Sequence, residues 1–97
     1  MPSMTSSTAP AAPVAENVVT IDNFEFAPAS LSVPVGSTVR WTNRDEEPHN
    51  IAASDGSFHS PVLGAQATYS FTFRTPGTFD YICGIHPFMH GTVVVTG

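Results

Sequence analysis

The clearest pattern in the sequence is an alternation of apolar and polar side chains with a period of two. Two runs show it most clearly, and their apolar members are Tyr69, Phe71 and Phe73, then Phe79, Tyr81 and Cys83. Successive side chains of a β-strand point to opposite faces, so each run predicts a half-buried strand. Because Pro76-Gly77 separates the two runs, they predict a hairpin whose inward face is aromatic.

Shorter segments of the same kind predict the remaining strands. The segment from Val18 to Phe26 predicts one strand, and Val39 and Trp41 share a face of another. Pro34 indicates a sheet edge or a bulge, since proline cannot donate to a β-ladder. The predicted strands are 18–26, 31–35, 38–42, 49–53, 57–62, 68–74, 78–83 and 91–96. Their regular spacing predicts an all-β fold, a single-domain β-sandwich of seven or eight strands.

Length and composition limit what surrounds this domain. A chain of 97 residues is long enough for one small domain and too short for a two-domain enzyme. Residues 1–16 are rich in Ser, Ala and Pro, without an apolar stretch typical of a signal peptide, and we interpret them as a disordered tail. Residues 17–97 form the predicted domain. We expect a signal or anchor to be absent from this chain.

The charge balance and the length of the apolar runs argue against two classes of function. Only 11% of the residues are charged and the formal net charge is -5, with no lysine. Such a chain has too few cations to neutralise a row of phosphates, so nucleic-acid binding is not expected. No apolar run approaches the roughly 20 residues of a membrane helix, so no membrane span is expected.

Four residues could together hold a metal ion. Cys83, His86 and Met89 follow the spacing C-x2-H-x2-M, and His49 lies far upstream. Pro87 disfavours a helix at His86, so the three must lie on a loop between two strands, and His49 must reach them from a neighbouring strand. Taken singly, a buried small Cys and a solvated His are the simpler interpretations. Taken together, the four favour a metal site.

The softness of these donors indicates which metal. A thiolate with two imidazoles suits zinc or copper, but a thioether is a poor zinc ligand and a reasonable weak ligand for copper. Copper is therefore favoured. A lone cysteine without a disulfide partner is a liability in an oxidising compartment unless it is occupied, which fits an extracytoplasmic metal protein.

Two blocks, Trp41 to Ile51 and Thr75 to Val95, resemble the small blue copper proteins, or cupredoxins, and among these the amicyanins most. The resemblance implies a Greek-key sandwich with one type 1 copper ion. His49, Cys83 and His86 would be equatorial ligands and Met89 the axial one. The backbone of Asn50 would hydrogen-bond the cysteine sulfur.

The resemblance also implies a function, and alternatives remain beside it. It implies a monomeric, soluble, periplasmic or exported carrier of single electrons, not an enzyme, that docks a dehydrogenase or a c-type cytochrome near His86. A protein for copper storage, delivery or resistance would use the same ligands, and a structural β-sandwich with an inert cysteine is a third possibility.

The sequence leaves the roles of some residues near the site undecided. Phe88 fits a docking patch or a core contact equally well. The Asp45-Glu46-Glu47 run fits a solvated turn, or a group of negative charges at the edge of the site that steers a basic redox partner such as a cytochrome. We expect His59 to be solvated and the side chain of His90 to point away from the metal.

Overall fold

A computed structural model describes residues 17–97, and the predicted tail at 1–16 lies outside them. The eight strands are β1 (Val18–Asp22), β2 (Glu25–Ala27), β3 (Ser30–Pro34), β4 (Thr38–Asn43), β5 (Ala52–Ala53), β6 (Thr68–Thr72), β7 (Gly77–Ile82) and β8 (His90–Thr96). The all-β prediction is confirmed. Within residues 17–97 there is no helix long and apolar enough to cross a membrane.

The strands form two sheets of four, which makes the predicted sandwich. One sheet has the order β2-β1-β4-β6 and the other β3-β8-β7-β5. β1 runs parallel to β4, and β3 runs parallel to β8, while the other pairs are antiparallel. Pro34 ends β3, an edge strand, as its missing N–H predicts.

The prediction of one strand from Val18 to Phe26 is wrong. The chain reverses at Asn23 and Phe24, whose φ angles are 54° and 59°, so that β1 and β2 pair as a hairpin. Two consecutive residues of positive φ are the geometry of a type I′ turn, which normally carries glycine at its second position. A phenylalanine there gives no turn signal in the sequence.

The predicted hairpin of β6 and β7 is also wrong. β6 pairs with β4 in one sheet, whereas β7 pairs with β5 and β8 in the other. The connection through Pro76 therefore crosses from one sheet to the other. The two apolar faces meet across the sandwich, where the rings of Phe73 and Phe79 are 5.3 Å apart. Alternation shows that a strand has a buried face but does not say which strand lies beside it.

The predicted strands at 49–53 and 57–62 are mostly irregular backbone. Only Ala52–Ala53 is a strand. Isolated bridges join His49 to Leu63 and Ala52 to His59. These bridges fix the segment between β4 and β6 without forming a regular ladder.

The core is aromatic and tightly packed between the sheets. Val39 and Trp41 share the predicted face and are both fully buried. The ring of Tyr81 packs edge-on against Trp41, with centroids 5.5 Å apart. Opposite Tyr81 on β8 lies Gly91, where an added Cβ would come within 2.3 Å of the Tyr81 ring and hydroxyl. Only glycine fits at this position.

Candidate metal centre

The loop between β7 and β8 carries three of the predicted ligands, as expected from Pro87. Its two ends are closed by the Cys83 N–H, which donates to the Met89 carbonyl at 3.2 Å. Inside it, the Met89 N–H donates to the His86 carbonyl at 2.9 Å. These bonds fold the loop back on itself, so that Cys83, His86 and Met89 are held in one compact turn.

His49 reaches the loop from the segment that follows β4. Its backbone exchanges two hydrogen bonds with Leu63, at 3.1 and 2.7 Å. Behind this segment the buried amide of Asn43 donates to the carbonyl oxygens of Glu47 and Leu63, both at 2.9 Å. The position of His49 is therefore fixed by main-chain and amide hydrogen bonds of the protein itself.

The two imidazoles and the sulfur converge on one point. Cys83 Sγ lies 3.6 Å from His49 Nδ1 and 3.8 Å from His86 Nδ1, and the two Nδ1 atoms are 3.2 Å apart. Bonds of about 2.0 Å to nitrogen and about 2.3 Å to sulfur, at about 110–120° around one ion, place two nitrogens about 3.3–3.5 Å apart and nitrogen and sulfur about 3.5–3.7 Å apart. The three donor atoms fit a single metal ion.

Burial separates the members of this cluster. His49 and Cys83 are fully buried and Met89 is almost so, whereas His86 is half-buried. The side chain of His86 is therefore the part of the cluster that reaches the surface. In the part of the chain that the structure describes, no other group of three or more His, Cys, Asp or Glu residues converges in this way.

Asn50 ties the two ligand-bearing segments together. Its N–H donates to Cys83 Sγ at 3.4 Å, as the family resemblance implied. Its side-chain oxygen accepts the Gly84 N–H at 2.6 Å. Through these two bonds Asn50 fixes the Cys83 sulfur relative to the segment that carries His49.

Asp45 is a functional residue that the sequence analysis did not recognise. Its carboxylate is neither solvated nor free to attract a partner. It accepts a hydrogen bond from His49 Nε2 at 2.8 Å, and the side chain is only 12% exposed. An imidazole that binds a metal through one nitrogen usually donates the other N–H to such a partner. The spacing of four residues between Asp45 and His49 was the available signal.

The same carboxylate holds the strained turn between β1 and β2. Asp45 accepts the N–H groups of Asn23 and Phe24 at 2.6 and 3.0 Å. Burial raises the pKa of Asp45, but the hydrogen bonds from Phe24, His49 and Asn23 together outweigh it and hold the pKa below its ordinary value. The residue is an anion at neutral pH, joining the turn to the metal centre.

Phe24 covers the two imidazoles as a result. Its ring meets those of His49 and His86 edge-on, with centroids 5.4 and 5.2 Å apart. Phe88 lies 6.4 Å from it and is 65% exposed, so the interpretation of Phe88 as a core contact is wrong. Phe24 and Ile85 are also exposed. Together, Phe24, Ile85 and Phe88 form what we call the aromatic patch, an apolar surface around His86.

The other histidines lie apart from the cluster. His59 and His90 are both exposed, as expected. His90 begins β8 directly after Met89. Neither His59 nor His90 belongs to the converging set of His49, Cys83 and His86.

Comparison with known proteins agrees with the fold. Residues 2–95 match the family described as cupredoxin-like domain. The chain is 40% identical to amicyanin-alpha of Methylorubrum extorquens over 87% of this chain and 75% of that protein. It is 38% identical to amicyanin of Paracoccus denitrificans over 88% of this chain and 70% of that protein. A solved structure of an oxidised amicyanin mutant superposes with a TM-score of 0.79 at 38% identity, covering 84% of this chain and 82% of that one. The chain belongs to the cupredoxin family.

Proposed function

We propose that the domain at 17–97 binds one copper ion through His49, Cys83, His86 and Met89 and carries single electrons between redox proteins. The observation that supports this most strongly is the approach of two imidazole nitrogens and one sulfur to within 4.8 Å of one another. A bound copper ion would supply one-electron chemistry by cycling between Cu(II) and Cu(I). No bond in a substrate is made or broken, so the protein is a carrier and not an enzyme.

The residues around the cluster keep its shape constant, which is what fast electron transfer requires. Asn50 fixes the sulfur of Cys83, and Asp45 orients the imidazole of His49 so that its Nδ1 faces the donor atoms of Cys83 and His86. Met89 would hold the copper ion as a weak thioether donor and would tune its reduction potential. Ligands held by the protein move little when the charge on the ion changes, and the reorganisation energy stays low.

The burial of the donors favours an electron carrier over a copper store or delivery protein. A delivery protein must release its ion to a partner, which requires ligands that a partner's side chains can replace. Here His49 and Cys83 are fully buried and hydrogen-bonded. Only His86 reaches the surface, and an imidazole edge there suffices for an electron to leave.

The aromatic patch is the proposed docking site for the redox partners, a dehydrogenase and a c-type cytochrome being the expected types. Phe24, Ile85 and Phe88 expose apolar surface around His86, and exposed apolar patches of this kind mark interaction sites. We further propose that the protein acts outside the cytoplasm as a monomer. That compartment is oxidising, and a bound metal ion would protect the single cysteine from oxidation.

The experiment is to add Cu(II) to the purified full chain and record absorption and paramagnetic-resonance spectra. We expect an intense visible band from the cysteine sulfur-to-copper charge transfer and reversible one-electron reduction. Cys83→Ser should remove the colour, while the control variants His59→Ala and His90→Ala should keep it. A colourless copper-loaded protein, or colour that survives Cys83→Ser, refutes the proposal.

A further inference from the structure

The net charge of the described residues is concentrated at one end of the sandwich. Two turns there hold most of the acidic side chains and one arginine, namely Asp22, Glu25, Asp45, Glu46, Glu47 and Arg44. Elsewhere in residues 17–97 the charges balance, with Asp55 and Asp80 against Arg40 and Arg74. All of the excess negative charge of this part of the chain therefore lies in the two turns.

Four of these acidic side chains are exposed and unlike Asp45 are free to meet a partner. We call Asp22, Glu25, Glu46 and Glu47 the acidic rim. Asp22 and Glu25 directly flank the turn that carries Phe24 and face each other across the β1–β2 hairpin. Glu46 and Glu47 follow Asp45, whose carboxylate binds that same turn.

The acidic rim therefore lies beside the aromatic patch. Phe24 lies between Asp22 and Glu25 in the chain, and its ring is 5.2 Å from that of His86. One or two residues of extended chain span about 3–7 Å, which is within the Debye length of about 8 Å at physiological ionic strength. A charge on a partner docked opposite the patch is therefore close enough to the acidic rim for salt to screen their interaction only in part.

We propose that this end of the molecule selects a redox partner whose exposed cofactor edge is surrounded by lysine and arginine side chains. An apolar centre with a charged border is the usual arrangement of a specific interface, and the charges set the rate of encounter and the choice of partner. A second copy of the chain is not expected to bind at this surface, because a symmetric contact would bring the acidic rims of the two copies together and they would repel each other.

This inference rests on the proposed function, since the docked pair exchanges one electron. The partner loses the electron that the copper site gains, or gains the one that the site loses, and no proton or bond moves. Direct docking also has a signature that needs no copper, because the rim and the patch belong to the protein alone. Binding of the metal-free chain tests the surface separately from the electron transfer.

The first measurement is the stopped-flow rate constant between the copper-loaded full chain and a lysine-rich c-type cytochrome. We expect it to fall at least tenfold from 10 to 500 mM salt, since attraction between opposite charges is screened. At low salt the double variant Glu46→Gln/Glu47→Gln should react about 3- to 10-fold more slowly. The matched control, Asp55→Asn/Asp80→Asn, removes the same charge away from the patch and should stay within twofold.

The second measurement is an amide chemical-shift map of the metal-free chain titrated with the same oxidised cytochrome. Shifts at residues 22–25, 46–47 and 85–88 support the proposal. Shifts centred near Asp55 and Asp80, a rate that rises with salt, or equal effects of the two double variants overturn it.

These outcomes distinguish the two proposals. A rim-centred shift map with no reversible reduction of the loaded protein leaves the docking surface standing and refutes the electron carrier. If the protein is blue and reversibly reduced, but its reaction rates do not change with salt or in the glutamate variants, the electron carrier stands and the docking surface is refuted.

Discussion

Asp45→Asn is the substitution that most directly tests how the metal centre is built. The wild-type carboxylate accepts three hydrogen bonds, from His49 Nε2 and from the N–H groups of Asn23 and Phe24. Asparagine has nearly the same shape but offers one acceptor oxygen and an NH2 group. At least one of the three donors must then face another donor.

The cost follows from which donors are buried. The turn amides belong to exposed residues and can bind water, so their loss contributes little. His49 is fully buried, and a buried donor left without its charged partner costs roughly 1–3 kcal/mol. We expect the free energy of unfolding to fall by about 2 kcal/mol, which corresponds to a decrease in Tm of roughly 8–16 °C for a domain of this size.

The assay is thermal and denaturant unfolding of the metal-free protein, followed by circular dichroism. The control is Glu46→Gln, an exposed neighbour with the same change in charge, for which we expect less than about 0.5 kcal/mol. Amide hydrogen exchange at Phe24 should become faster in Asp45→Asn only. Equal stability of the two variants, with slow exchange at Phe24 retained, would refute the role given to Asp45.

Two further predictions concern the packing of Tyr81. Burial raises the pKa of Tyr81 to about 12 from 10.0. The unfolded chain loses this proton first, so the free energy of unfolding should fall by about 2 kcal/mol as pH rises from 10 to 12. Tyr81→Phe should flatten this dependence without loss of stability at neutral pH, because the buried hydroxyl has no hydrogen-bond partner among residues 17–97. An unchanged slope in alkaline urea titrations would contradict this. Gly91→Ala should cost more than about 3 kcal/mol or prevent folding, since its Cβ meets Tyr81 at 2.3 Å. Gly64→Ala, with open space around the new methyl group, is the control, and similar melting curves for both variants would be the contrary result.

Much of the fold, and the loop that carries three of the candidate ligands, could be predicted because the signals are local. The period of two at Val39 and Trp41 identifies a strand and its buried face, and the spacing from Cys83 to Met89 with Pro87 identifies a loop. Sheet partners are not local: β6 and β7 have the same alternation whether they pair edge to edge or face each other across the core. Loop closure and packing decide between these, and neither is visible in a single strand.

The parts that were missed depend on contacts between distant segments. Phe24 takes a positive φ because Asp45 accepts its N–H, so neither residue alone signals the turn. Asp45 looks solvated in an acidic run because its partner nitrogen on His49 becomes buried only when the sandwich closes. A side chain that acts through another is the hardest to recognise from sequence.

Asn43 gives this architecture a kinetic property. Its buried amide joins Glu47, Leu63 and Asp45 by hydrogen bonds that need no ion, so the cavity that His49 helps to form exists before loading. Reloading of the stripped protein should then be a simple bimolecular event, with a rate proportional to free copper and no lag from refolding. Heat would act on the barrier to unfolding and a chelator on the barrier to metal release. A protein stripped by a chelator would therefore stay folded and could bind copper again.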